Sequence, residues 1–412
     1  MRSMPNLPGA RFLDARTPPH IATLILVAGV PALAMNVFLP SLPAMTEHFG
    51  TDYRVMQLSV SIYLGMNALM QVFVGPISDR WGRRPTLTVA FAVFAVATLG
   101  CIFAPNVGTF LFFRALQAAA ATGMVLSRAI VRDLVPQAQA ASMIGYVTMG
   151  MSVVPMIGPV IGGWLDEGYG WQAGFWLQFA LGLLIIALIR RDLGETAPMS
   201  GSFREQVATW PQLLQAPRYW GYVAVATFSA GAFFSYLGGA PFVGTEVFDL
   251  SASRLGLYFG APAIGYFLGN WISGRFSVAV GVNRMILAGT ALTVGGLLAS
   301  LALSLGGIRS PEIFFAFMCF VGLGNGMVLP NAMAGQLSVV PHLAGTAAGL
   351  GGATQLAGGA LLSAFAGMLL GPGSTEVVLL VLMTSVSALA LAMILWIMGL
   401  RAQRGEAAQP AE

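Results

Sequence analysis

The side chains able to do chemistry in this chain are few and are set in apolar surroundings. Asp79 stands in the run Gly75-Pro-Ile-Ser-Asp79-Arg80-Trp-Gly82-Arg83-Arg84, one carboxylate beside three guanidiniums. Such an acid accepts charge-assisted hydrogen bonds from an arginine and from amides at a helix end, which suits a conformational latch. Arg114 and Gln117 lie inside one apolar run and Asn36 in another. A charge in hydrocarbon costs at least ~2.5–3.5 kcal/mol, so Arg114 must face a cavity, find acceptors, or snorkel to the near surface. In a cavity it would attract an anionic or carbonyl-rich molecule. None of the 16 acids lies near the middle of an apolar run; Glu47, Asp52, Asp166, Glu167, Glu246, Asp249, Glu312 and Glu376 fall at run ends. That argues against a strongly cationic substrate.

Other chemistries are excluded by what is missing. There is no H-E-x-x-H, no G-x-S-x-G and no pair of acids within an apolar run, so an enzyme is not expected. Cys101 and Cys319 both sit in apolar runs. They make neither a disulfide framework nor a metal site, and no cofactor is expected. Six further polar residues in apolar runs, Asn67, Gln71, Tyr236, Asn325, Asn331 and Gln355, are read as cavity linings or as interhelical hydrogen-bond partners. His342, beside an apolar run, is read as a simple loop histidine.

These residues need elements to hold them. Of 412 residues, 57% are hydrophobic and 9% charged, with a mean hydropathy of +0.78. Soluble domains carry roughly 25% charged residues, so this is a polytopic membrane protein. Helices are required, because only they satisfy every backbone group in lipid without closing a barrel. Twelve spans are predicted. Helices 1 to 6 lie near 21–43, 55–77, 86–105, 109–131, 141–165 and 172–190. Helices 7 to 12 lie near 219–243, 255–275, 285–306, 312–334, 344–370 and 377–399. All 20 cationic residues are arginine, and sixteen fall on one side of the bilayer against three on the other, with Arg114 between. The positive-inside rule then puts both termini in the cytoplasm.

No loop carries a long basic run, so nucleic acid is not a partner. The domains read as a cytoplasmic tail (1–20), a six-helix bundle (21–190), a linker (191–218), a second bundle (219–400) and a tail (401–412). The first tail is uncleaved, since no small-residue cleavage site follows a short apolar core. Ser273-Gly274-Arg275 is read as the counterpart of Ser78-Asp79-Arg80, with Gly281 and Arg284 echoing the later glycine and arginines.

The motif G-x-x-x-D-R-x-G-R-R at 75–84 resembles the signature loop of the major facilitator superfamily. Helix 5 carries Pro155-Met-Ile-Gly158-Pro159-Val-Ile-Gly162-Gly163, which resembles the superfamily's antiporter motif. Gly158 and Gly162 make a small-x-x-x-small face, the prolines bend the helix, and Gly265 and Gly269 of helix 8 offer a matching surface. Asn36-Val-Phe-Leu-Pro40 in helix 1 looks like the twelve-helix drug:proton antiporters, the bicyclomycin/chloramphenicol resistance branch in particular. Many members hold an aspartate where this chain has Asn36, and asparagine cannot exchange a proton. Arg114-x-x-Gln117-Ala118 resembles the family's R-x-x-Q-G, whose arginine is linked to proton transfer.

The resemblance implies an all-α membrane protein of twelve helices in two pseudo-symmetric six-helix bundles. The signature loop would tie helix 2 to helix 11. The two bundles would rock about a central pocket, exporting small hydrophobic molecules in exchange for protons. The implied setting is a bacterial inner membrane, with the lipid bilayer as partner and the protein a monomer. The missing membrane acid leaves a gradient-driven metabolite exporter of the same fold as the alternative.

Overall fold

A computed structural model describes residues 10–134, 157–196, 210–339 and 343–403, with 143, 147 and 154 as isolated positions. Pro155 and His342 lie outside the described residues. Among the described residues there is no strand, and ten helices are long and apolar enough to cross a membrane. The two other predicted spans are helix 5, helical over 157–169, and helix 8, built as Ala252–Tyr258 and Gly260–Val280. The protein is all-α, with twelve helices in two pseudo-symmetric bundles.

The chain forms two compact units. Unit 1 is Met1–Glu205 with Leu250–Gly260, and unit 2 is Gln206–Asp249 with Ala261–Glu412. In unit 1, helix 3 (Arg83–Ile102) packs on helix 6 (Gln172–Asp192), and helices 1 and 2 pack on helix 4. The core between them is built from Leu24, Val27, Phe91, Phe94, Ile130 and Ile185. In unit 2, helix 7 (Pro217–Phe242) is buried along most of its length, against helices 10, 11 and 12. Outward faces carry exposed Val96, Phe112, Leu183, Phe267, Leu298 and Leu395, as lipid contact requires.

The pseudo-symmetry is visible at single residues. Helix 2 (Tyr53–Trp81) runs on past its predicted end, so Asp79 lies in its last turn and the connection to helix 3 is Gly82 alone. Gly82 adopts φ +95° and ψ 151°; Gly281, between helix 8 and helix 9 (Val282–Leu305), adopts φ +90° and ψ 145°. Only glycine takes such angles without strain. The Gly82 amide donates to the carbonyl of Ser78, and the Gly281 amide to that of Ser277. The repeat therefore pairs Ser78 with Ser277, one helical turn from the register read in the sequence. Val278 then stands where the first half has Asp79.

A second difference concerns small-residue faces. Gly265 and Gly269 of helix 8 pack on helix 10 (Pro311–Val339), where Gly322 and Gly326 reciprocate; a Cβ on any of the four would strike facing backbone. That face is thus occupied within unit 2. Gly75 faces open space, because helix 2 buries its Val74 and Ser78 side instead.

Candidate functional site

The polar side chains of unit 1 gather in two places. The first is around Arg114, which is fully buried. Helix 4 starts as Val107–Gln117, tightens into a 3-10 turn over Ala118–Ala121, and resumes at Thr122–Leu134. Helix 1 is α-helical over Ile21–Asn36 and breaks before a 3-10 turn at Leu39–Ser41, where Pro40 supplies no amide. At that break the Val37 amide takes the carbonyl of Leu33. The next acceptor, the Ala34 carbonyl, receives Arg114 Nη2 at 2.8 Å. Arg114 Nη1 donates to Gln117 Oε1 at 2.6 Å and Nε to the Ser59 carbonyl at 3.3 Å. Its guanidinium carbon lies 4.1 Å from the Phe38 ring centre and 4.4 Å from that of Tyr63. Acceptors and aromatic faces together offset the burial of the charge.

The arginine also sets the polarity of what lies behind it. A guanidinium only donates, so Gln117 presents its oxygen to Arg114 and its amide nitrogen away. Gln117 Nε2 reaches Thr98 Oγ1 at 2.8 Å and Gln178 Oε1 at 3.3 Å. Gln178, fully buried on helix 6, is left with its Nε2 unpartnered. Asn36 donates back to the Ala32 carbonyl at 2.7 Å, and its Oδ1 is buried without a donor. Its Cβ faces Gly158 of helix 5, where an added Cβ would lie 3.3 Å away. Asn67 is likewise buried with Oδ1 unpartnered, and Gln71 is half-buried further along helix 2. Thr98 and Gln178 were missed in the sequence, since a single polar residue in an apolar helix gives no hint of its partner.

The second place is the Gly82 turn. Arg83 is 7% exposed and pairs with Asp79 at 2.5 Å and with Asp133, at the end of helix 4, at 3.1 Å. It also donates to Ser78 Oγ. Glu195, just past helix 6, accepts from the amides of Arg83 (2.7 Å) and Arg84 (3.3 Å), the open N-terminus of helix 3. Arg84 Nη2 reaches the Arg190 carbonyl at 2.9 Å, and Arg80 is exposed. Asp133 and Glu195 were not singled out beforehand. Asp133 had a signal: it is the one acid between Asp79 and Asp166.

Helix 5 meets helix 1 through Gly158 and Gly162, and meets the first turns of helix 8 through Pro159 and Gly163, against Gly256 and Ala252. Glu167 Oε1 accepts from the Ser253 amide at 3.0 Å. That bond, with those from the Ser251 and Ser253 hydroxyls, holds the Glu167 carboxyl below its ordinary value.

The remaining predicted residues lie in unit 2. Tyr236 stacks on Phe233 and meets Phe315 edge-on. Asn325 accepts from Ser229 Oγ at 2.7 Å, and Asn331 donates to Ser273 Oγ at 2.8 Å. Gln355 is half-buried on helix 11. Among the described residues no group of three or more His, Cys, Asp or Glu is placed to hold a metal.

Residues 24–363 match the family described as Major Facilitator Superfamily. A chloramphenicol resistance protein of Pseudomonas aeruginosa is 30% identical over 335 residues, 79% of this chain and 78% of that one. A bicyclomycin resistance protein homolog of Haemophilus influenzae is 27% identical over 353 residues, 83% and 87% of the two chains. A bacterial homolog of the human lysosomal transporter Spinster, solved inward-facing and occupied, superposes with a TM-score of 0.67 at 17% identity, over 93% of this chain and 94% of that one. With its buried arginine, its glycine-hinged signature turn and these relatives, the chain belongs to the Major Facilitator Superfamily and is a transporter rather than an enzyme.

Proposed function

We propose that this protein is a secondary active exporter that removes small hydrophobic compounds from the cytoplasm in exchange for protons. The observation that carries the reading is the fully buried Arg114, fixed by helices 1, 2 and 4 with no acid among its contacts. Such a site sets a fixed positive charge, uncompensated by any acid, beside the path, and so favours a neutral or carbonyl-bearing molecule over a cation. Chloramphenicol, named for one relative, is the compound to use. Asn36, Arg114, Gln117, Asn67, Gln71, Tyr236, Asn325 and Gln355 are assigned to the path.

Transport would proceed by alternating access between the two bundles. The Asp79–Arg83–Asp133 cluster, with Gly75, Arg80, Gly82 and Arg84, would act as the inner latch. The helix 5 motif of Pro155, Gly158, Pro159, Gly162 and Gly163 would seal the other end. The arginine bias supports cytoplasmic termini in a bacterial inner membrane, and the working form is read as a monomer.

The test is chloramphenicol uptake by everted membrane vesicles, with and without a proton uncoupler. The expected outcome is concentrative uptake that the uncoupler abolishes. Uptake that persists would instead establish the gradient-driven exporter, a reading favoured by Asn36, which cannot exchange a proton.

A further inference from the structure

Glu376 opens helix 12 (Glu376–Gln403) and is fully buried. Neither of its carboxylate oxygens has a hydrogen-bond partner. Asp192, the other acid buried to this degree among the described residues, has both oxygens taken, by the amides of Leu13 at 2.6 Å and His20 at 2.9 Å. The charged group that reaches Glu376 is Arg309, whose Nε lies 3.4 Å from Oε1. The Arg309 side chain is 53% exposed, so it approaches the acid from solvent.

An isolated buried charge is among the most expensive arrangements in a protein. A buried carboxylate whose counter-charge is anchored in water therefore has two stable forms. It is ionised with the guanidinium against it, or neutral with a bound proton and the guanidinium turned into solvent. Helix 12 packs against helices 7, 9 and 11. The other titratable groups on the near ends of those elements are Tyr236 on helix 7 and Glu246 in the π-helical turn Val243–Val247 that ends it. Neither is cationic, so neither can replace Arg309. A cavity of about 350 Å³ lies beside the turn before helix 12, lined by Phe242, Glu246, Val247, Pro372, Gly373 and Ser374.

We propose that Glu376 is a proton-binding site on the outer side of unit 2, loaded from the external medium as Arg309 leaves it. Uptake forms one O–H bond on the carboxylate from a hydronium ion and releases water; the guanidinium keeps its own protons throughout. The site deepens the antiport reading and rests on it for its role in transport. It supplies an exchangeable proton to a chain with an asparagine at position 36.

Infrared difference spectra of the purified, reconstituted protein, titrated with pH, test the site without any substrate. The wild type is expected to show a carboxylic-acid carbonyl band that Glu376→Gln lacks, and in Arg309→Gln that band should persist to higher pH. Spectra of wild type and Glu376→Gln that coincide across the titration would overturn the proposal, as would an Arg309→Gln titration unchanged from wild type. In the same vesicles, an imposed proton gradient should accelerate chloramphenicol movement by the wild type and not by Glu376→Gln. Equal acceleration of both would also overturn it. If the wild type moved no chloramphenicol at all, the chloramphenicol-export reading would fall, and the infrared titration would still decide the proton site.

Discussion

Arg114 shows how one side chain organises its surroundings. It donates in three directions, to the Ala34 and Ser59 carbonyls and to Gln117, so lysine cannot replace it. Arg114→Ala should leave the Ala34 carbonyl and Gln117 Oε1 buried without donors, at about 1–3 kcal/mol each. Thermal unfolding in detergent should show the loss, and chloramphenicol uptake should vanish. Asn36→Asp makes a different demand. The Nδ2 bond to the Ala32 carbonyl would become a contact between two oxygens unless the new carboxyl carries a proton. The variant should therefore gain a buried protonated group, seen as a new infrared carbonyl band, and, where a cationic compound displaces that proton, should broaden recognition toward cations in a susceptibility panel. An unchanged panel would show that position 36 does not meet substrate. The type and spacing of Arg114 and Gln117 made them legible in the sequence. Their partners were not, because Thr98 and Gln178 come from helices 3 and 6 and only the packed bundle brings them within 3.3 Å.

Between elements, the joints are short and chemically specific. Gly82→Ala should be more damaging than an ordinary turn substitution. It combines φ +95° with a methyl group 2.9 Å from the Glu195 carboxyl carbon. A loss above about 1 kcal/mol is expected, together with slowed transport, measured by unfolding and by vesicle uptake. Asp79→Asn removes one of the two acids on Arg83 and should cripple transport while the protein still reaches the membrane. Wild-type flux in that variant would refute the latch role.

The helix 5 to helix 8 contact carries a pH expectation. Glu167 is held below its ordinary value, so its bond to Ser253 contributes fully above the usual carboxylate range and is lost only as pH falls through the lowered value. Protection of the 252–258 amides from hydrogen exchange, taken relative to the intrinsic rate at each pH, should therefore be flat between about pH 5 and 8. The turn at 82 was readable because glycine and arginine mark it. The register of its counterpart was not: Ser273 and Ser277 are one turn apart and equally plausible on paper, and the paired glycine angles decide between them.

For the molecule as a whole, twelve apolar runs and a lopsided arginine count were enough to predict the architecture, since lipid tolerates few alternatives. What could not be read was how the segment after helix 6 is used. Glu195 lies within the stretch predicted as a connecting linker, yet it caps helix 3, 112 positions back along the chain. Asp192 does the same for the chain before helix 1, binding Leu13 and His20. Residues 192–195 thus act as a buckle that fastens the beginning and the end of the first bundle to each other. A gene cut in two should respect this. Halves divided after residue 196 and co-expressed should reassemble into a working transporter, whereas halves divided after residue 191 should yield a first fragment that frays at both its amino terminus and its signature turn.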